Sequence, residues 1–386
     1  MKRIYLDYVS NTPLLAEVKQ AMAEWLERSG NPSSLHAAGR EAKQALEQAR
    51  RQVAALINAK PEEIYFTSCG TEANNWALRG LLQANKRKGN HLIVSSIEHP
   101  SVLLTAKRLE REGDDVTYLP VTAEGIVESD VLTATLKPTT VLVSIMHANG
   151  EIGTIEPIAE LAAIAHEAGA LFHTDAVVSA GQTPVDVHQL RVDALSLAAN
   201  QFYGPAGAAA LYVRDGVRIL PLIDGGGQET GARSGTENLI GTIGMGVAAA
   251  HATTQLTGRM AQMSRLRDLL KDGLLERLDG VRVNGSWTSR LSHHLHICLQ
   301  GVSSESLVLG LDQEGIAAGI GSACNSKAMR PSHVLKAIGL SDEEAGGALV
   351  LSVGAPTTEA DVDRALEMIP AVVQKLRSVT ILTSRR

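Results

Sequence analysis

Through roughly its first 250 residues the chain alternates helical patterns with short β-branched runs. Leu14–Arg28 and Ala37–Asn58 carry amphipathic helical spacing, while IYFTS at 64–68, HLIVSS at 91–96, DVTYLP at 115–120, TVLVSIM at 140–146 and ALFHTD at 170–175 have the length and composition of strands. Strands separated by helices cannot pair as hairpins. They predict an α/β protein with a mainly parallel sheet covered on both faces. Past residue 250 the texture changes: a long helical pattern through Leu278 leads to HHLHICL, AAGIG and ALVLSVG, with helices expected at 303–312, 331–338 and 358–376. This tail predicts a smaller α+β domain.

At 386 residues and 44% hydrophobic content, the chain is long enough for a large core and for two domains. A net charge of −6 gives no electrostatic reason for a nucleic-acid or membrane-surface partner, and 3% aromatic content argues against a base-stacking surface. The start, MKRIYLDYVSNTP, lacks the apolar core of a signal peptide, and no apolar run reaches 18 residues, so the expectation is a soluble cytoplasmic protein. Cys69, Cys298 and Cys324 have no close pairing, which argues against a disulfide framework or a cysteine zinc site. Cys69 and Cys298 read as small buried fillers.

Two turns mark candidate chemistry. In IYFTSCGTEANN a strand runs through Cys69-Gly70 into a helix opening near Glu72, which places Thr71 at a helix N-terminus. Such an end presents unpaired N–H groups suited to a phosphate, and Thr71 can equally serve as a plain N-cap. In ALSLAANQFYGPAGAAALY, at 194–212, one apolar run ends at Ala-Asn-Gln and a second begins after Tyr203-Gly204-Pro205.

This second stretch resembles the cofactor-lysine segment of the cysteine desulfurases of the NifS/IscS type, which bind pyridoxal phosphate (PLP) through that lysine. The resemblance extends in order along YLDYVSNTP, GNPSSLHAAGREAKQALEQAR, FTSCGTEANN, SSIEHPSV, HANGEIGTIEPI, HTDA, YGPAGAAALYVR, GGGQETGARSGTEN and GSACNS, so it covers nearly the whole chain. It implies the fold-type I PLP architecture of the class V aminotransferases: a large domain around a seven-stranded sheet (residues 16–250), a small domain of both termini (1–15 and 251–386), and a homodimer.

Carried over position by position, the resemblance implies a half-emptied site. Thr71 falls on the phosphate cup, His99 on the ring-stacking histidine, Asn149 on a cofactor-facing asparagine, Asp175 on the partner of the pyridine nitrogen, and Thr236 on a threonine that reaches the neighbouring subunit's phosphate. The residues themselves leave ordinary roles open: a structural histidine at His99, a turn at Asn149, a strand-end cap at Asp175. Gln201 stands in the lysine position, and an amide nitrogen is neither nucleophilic nor basic. Ala198 and Asn200 replace phosphate ligands, Val178 replaces a glutamine, and Thr230 and Ala355 stand where arginines are common. Val350 replaces the arginine that grips the substrate carboxylate, a charge-assisted bond worth about 1.5–3 kcal/mol.

Cys324 in GSACNS matches the residue that carries sulfur as a persulfide, and Lys327 can lower its pKa if the two approach. Three functions follow from the resemblance. The first is a sulfur-transfer or iron–sulfur protein without normal PLP-dependent activity, using Cys324 to carry sulfur or ligate a cluster with a scaffold or acceptor. The second is an active cysteine desulfurase holding PLP non-covalently, with a base such as Lys327. The third is a non-catalytic subunit paired with an active relative.

Overall fold

A computed structural model describes residues 3–321 and 332–383, with side chains through residue 378. In chain order the elements are β1 (Ile4–Tyr5), α1 (Ala16–Leu26), α2 (Ala37–Leu56), β2 (Ile64–Thr67), α3 (Gly70–Ala84), β3 (His91–Ser95), α4 (Pro100–Arg111), β4 (Asp115–Leu119), α5 (Ser129–Thr135), β5 (Thr140–Ser144), α6 (Ile158–Glu167) and β6 (Leu171–Asp175). There follow α7 (Val187–Leu190), β7 (Ala194–Ala198), β8 (Ala209–Val213), α8 (Leu239–Arg277), β9 (Val281–Val283), β10 (His294–Leu299), α9 (Ser304–Gln313), β11 (Ile316–Ala317), α10 (His333–Ala337), α11 (Asp342–Ala345), β12 (Ala348–Ser352) and α12 (Glu359–Thr383).

Seven strands form one sheet in the order β2-β8-β7-β6-β5-β3-β4. The steps from β4 to β7 are parallel; β8 runs antiparallel to both β7 and β2. Every residue of β3, β5, β7 and β8 is buried, which is why these strands read as continuous apolar runs rather than alternating ones. Helices cover both faces. One core cluster joins Val53, Ile93, Val143, Phe172 and Leu195; another joins Trp76, Leu78, Leu92, Leu142 and Leu211.

The stripe Ala42, Leu46, Ala49 and Val53 gives α2 its buried face, and α8 packs along that helix. Close approach depends on Gly246, where an added Cβ would lie 2.6 Å from Ala49 Cα. α8 is continuous over 39 residues. Its first part gives Met245, Ala248, Ala249 and Ala252 to the cluster of the large sheet. Its second part gives Met263, Leu266, Leu270 and Leu274 to a separate cluster with Leu295, Leu349 and Ile369. That cluster lies against the antiparallel sheet β12-β10-β9, while β1 pairs with β11 in parallel, joining the N-terminal segment to the C-terminal part of the fold. Among the described residues no helix is long and apolar enough to cross a membrane.

The predicted strands of the first half all appear; β2, β3, β4 and β5 end one or two residues earlier than expected, where the chain turns into loops at the C-terminal edge of the sheet, and β6 ends at Asp175 as expected. AAGIG contributes only Ala317 to the two-residue β11. α12 runs on past Leu376 with Pro370 inside it.

Candidate functional site

The C-terminal ends of β2, β3, β5, β6 and β7 open onto one cavity of about 320 Å³. This is where parallel α/β sheets place ligands, since strand ends and helix starts converge there without a covering layer. The cavity brings together Thr71, His99, Asn149, Asp175 and Gln201. Thr236 is exposed and does not line it, and Cys324 and Lys327 lie outside the described residues.

Asp175 closes β6. Its Oδ2 accepts from Asn74 Nδ2 at 2.6 Å and its Oδ1 from the Val177 N–H at 2.9 Å. Burial pushes its carboxyl up, against the opposing pull of His99 and of these hydrogen bonds. His99 is the N-cap of α4: Nδ1 accepts from the Ser101 N–H at 3.1 Å, which leaves the proton on Nε2. Asn149 is engaged by its own loop and by the segment after β3: it accepts from the N–H groups of Glu151 and Ile152 at 2.9 and 3.0 Å and donates to the Ile97 carbonyl at 2.9 Å.

Gln201 follows β7 in a single 3₁₀ turn, Ala199–Gln201. Its Nε2 donates to the Val9 carbonyl at 2.9 Å and the Ser10 carbonyl at 3.4 Å, while its own carbonyl accepts from Gln182. The turn is held from several sides. Tyr203 sits at a positive φ of 69°, unfavourable for a residue with a Cβ, and is fixed there by Thr12 Oγ1 on its N–H and by the Ala355 N–H on its hydroxyl.

Two expectations change. Thr71 is not the N-cap of α3: the cap is Cys69, whose side chain makes no capping bond, and Thr71 is an exposed residue of the first turn. Glu72 instead reaches back to accept from the Ser68 N–H at 2.9 Å, with Arg233 paired to it at 2.8 Å. Cys69 is not a buried filler but exposed and facing the cavity, because the extended backbone at the strand end turns it outward. Cys298 is buried as expected, near Asn284, and burial pushes its thiol up to about 11.

The residues that sequence reasoning passed over are acidic. Glu98 is fully buried; Oε1 accepts from Ser95 at 2.6 Å and from the Met146 N–H at 2.8 Å, and burial pushes it well up. Burial pushes Glu151 up to about 7, opposed by Ser332. Both lie inside segments that carried the resemblance, but nothing in their spacing marks them. His333 and Val334 join the cavity from α10. Val350, fully buried in β12 opposite His296, does not line it.

The arrangement can hold a flat, nitrogen-bearing ring against Asp175 between apolar walls such as Val177, Val178 and Met146. Among the described lining residues there is no lysine or arginine. PLP therefore fits at its ring-nitrogen end and does not fit at its covalent attachment, where the Gln201 amide is bound to backbone carbonyls.

The family model for Aminotransferase class-V matches residues 4–365. A "Cysteine desulfurase IscS" of Methanosarcina thermophila is 46% identical over 385 residues, covering 100% of this chain and 95% of its own length. One of the same name from Dictyoglomus turgidum is 46% identical over 382 residues, covering 98% and 97%. Among solved structures, a NifS-like protein superposes with a TM-score of 0.90 at 35% identity, covering 96% of this chain and 99% of its own. A structure described as SspA in complex with cysteine gives 0.81 at 35%, covering 92% and 100%.

Proposed function

The chain belongs to the class-V aminotransferase family, in its PLP-dependent cysteine desulfurase branch, and on that premise we propose that it handles sulfur derived from cysteine without the lysine-dependent turnover of that branch. One observation carries the reading: the Gln201 amide donates to Val9 and Ser10 carbonyls, where a desulfurase needs an amine. An amide can neither bond to a cofactor aldehyde nor move a proton to and from the substrate carbon. Cys324, matched to the persulfide-bearing cysteine, then receives sulfur, passes it to an acceptor or scaffold, or ligates an iron–sulfur cluster. The protein works as a cytoplasmic homodimer, with residues 16–250 as its large domain and 1–15 with 251–386 as its small one.

A second reading has its own support. Relatives 46% identical over essentially the whole chain are named cysteine desulfurases, which favours an active desulfurase holding its cofactor without a covalent link and drawing a base from Lys327. These names speak for activity more directly than for its loss. Thr236, exposed and not among the residues lining its own cavity, supports a third, a subunit that completes the site of an active relative.

The test is to incubate purified protein with L-cysteine and PLP, measure sulfide and alanine, and trap with borohydride before peptide mapping. No product above the enzyme-free control, with sulfur from a persulfide donor retained by the wild type and lost in Cys324→Ser, is the expected result. Alanine formation, or a reduced adduct on Lys327, overturns it in favour of the second reading. Mixed dimers with a co-expressed intact desulfurase, seen by native mass spectrometry, would bring in the third.

A further inference from the structure

Two cysteines lie among the described residues, and their surroundings are opposite. Cys298 is enclosed: Asn284 Nδ2 stands 3.2 Å from its sulfur, and burial pushes its thiol up to about 11. Cys69 is exposed and lines the cavity. As N-cap of α3 it has extended backbone, φ −166° and ψ 165°, and its side chain makes no capping bond, so the sulfur is not spent on the helix. The Ser68 hydroxyl lies 3.7 Å from that sulfur but is given to Glu72 Oε2. A thiol that neither packs nor caps is open to reaction.

Exposure alone does not make a site. The second feature lies about one turn further along α3, at Asn74, which lines the same cavity and is 1% exposed. Its Nδ2 donates to Asp175 Oδ2 at 2.6 Å and to Ser101 Oγ at 2.9 Å, which fixes the amide. Oδ1 is then left buried with no partner among the described residues. Unlike a carboxyl oxygen, an amide oxygen takes up no proton in the ordinary pH range and stays an acceptor. Native interiors pair nearly all such atoms, and a donor brought in with a ligand would pair this one. An ammonium forms the strongest bond of that kind.

We propose that Cys69 is a site of reversible S-thiolation, exchanging with a small disulfide that carries an ammonium group, with Asn74 Oδ1 receiving the ammonium. The Cys69 thiolate bonds to one sulfur of the disulfide, and the disulfide's own S–S bond breaks. The second sulfur leaves with that electron pair and takes up the proton that Cys69 gave up. The incoming disulfide is the oxidant: Cys69 is oxidised and the departing half is reduced to a thiol. The half that stays is held covalently beside Val177 and Val178 in a cavity of about 320 Å³, so the modified chain carries its own occupant there. Cytosolic disulfides are commonly transient and redox-sensing, and this one is undone by the next thiol that reaches it.

The probes are L-cystine and dithiodipropionate, which differ in the amino group, each incubated with the full-length protein at neutral pH and followed by non-reducing peptide mapping. Rates are divided by those of glutathione with the same disulfide, so that the reagent's own reactivity cancels. One cysteinyl group on Cys69, released by dithiothreitol and absent in Cys69→Ser, is the expected product. Cystine is expected to react about tenfold faster than dithiodipropionate on this scale, the worth of one charge-assisted hydrogen bond. Asn74→Ala should remove that preference, and Cys324→Ser should leave the label on Cys69 in place. No label on Cys69, equal rates with the two disulfides, or loss of the label in Cys324→Ser overturns the proposal; if Asn74→Ala fails to fold, the wild-type ratio decides. The functional reading is judged separately, by alanine production from cysteine, which leaves the labelling of Cys69 unchanged.

Discussion

At the Asp175 end of the cavity a carboxyl group is kept from water by two neutral donors, Asn74 and the Val177 N–H, and burial raises its pKa. At the Gln201 end a neutral amide donates to two carbonyls of the N-terminal segment, and the neighbouring turn is pinned by Thr12 and Ala355. The first end carries a polar group at a cost to stability. The second has become a clasp between β7 and the start of the chain. Binding sites are commonly strained and structural contacts commonly are not, so the two ends should respond oppositely to replacement.

The largest effect should come from making the clasp reactive again. Gln201→Lys is expected to capture PLP as a borohydride-reducible adduct at residue 201, yet sulfide release should stay about one to two decades below that of an intact desulfurase. A charge-assisted grip on the substrate carboxylate is worth that much, and Val350 cannot supply it. Full activity from this one change would show that the cavity is otherwise competent, and the contrast between its ends would collapse to a single side chain.

The same cavity is lined by Glu151, raised by burial to about 7. Because its folded pKa exceeds its unfolded value, its contribution to stability is fully present in acid and is lost as pH rises toward 7. Each pH unit within that window costs at most about 1.4 kcal/mol. Glu151→Gln should therefore lose the part of the melting-temperature decline between pH 5 and 8 that Glu151 causes. An unchanged pH profile would mean that this side chain is hydrated in solution.

Gln201→Ala tests the clasp without adding charge. It should cost about 1–2 kcal/mol, because it strands the Val9 carbonyl and weakens the hold on the segment through Thr12. Hydrogen exchange should quicken in residues 9–12 and not around Asp175. Asp175→Asn should produce the smallest change and the opposite sign: a higher melting temperature at pH 8, fading as pH falls, since the raised carboxyl of the wild type pays for ionisation only above its ordinary range. A loss of stability at pH 8 would place Asp175 with the clasp and erase the distinction.

Much of this was legible in the residues. Alternating runs predicted the parallel sheet, and the order of the motifs placed Thr71, His99, Asn149, Asp175 and Gln201 around one cavity, because each follows or closes a strand at the same sheet edge. The acids were not legible. Glu98 and Glu151 sit in polar loops where a carboxylate ordinarily faces water, and only the packing of α10 and the strand ends around them removes it. Cys69 misled in the other direction, since a free cysteine is ordinarily a small buried residue while the turn into α3 exposes this one.

By itself the sequence determined the family, the architecture and the absence of an amine at residue 201, for these depend on local periodicity and on which atoms a side chain contains. Only the tertiary structure decided what the replacement amide does. Val9 and Ser10 stand some 190 residues away from Gln201, and the carbonyls they offer exist as partners only once β1 has paired with β11 and drawn the N-terminal segment against the end of β7. Packing likewise buries Glu98 Oε2, Glu151 Oε1 and Asn74 Oδ1 without a partner among the described residues. Desolvation and pairing are properties of the assembled neighbourhood and cannot be read from one residue's own chemistry.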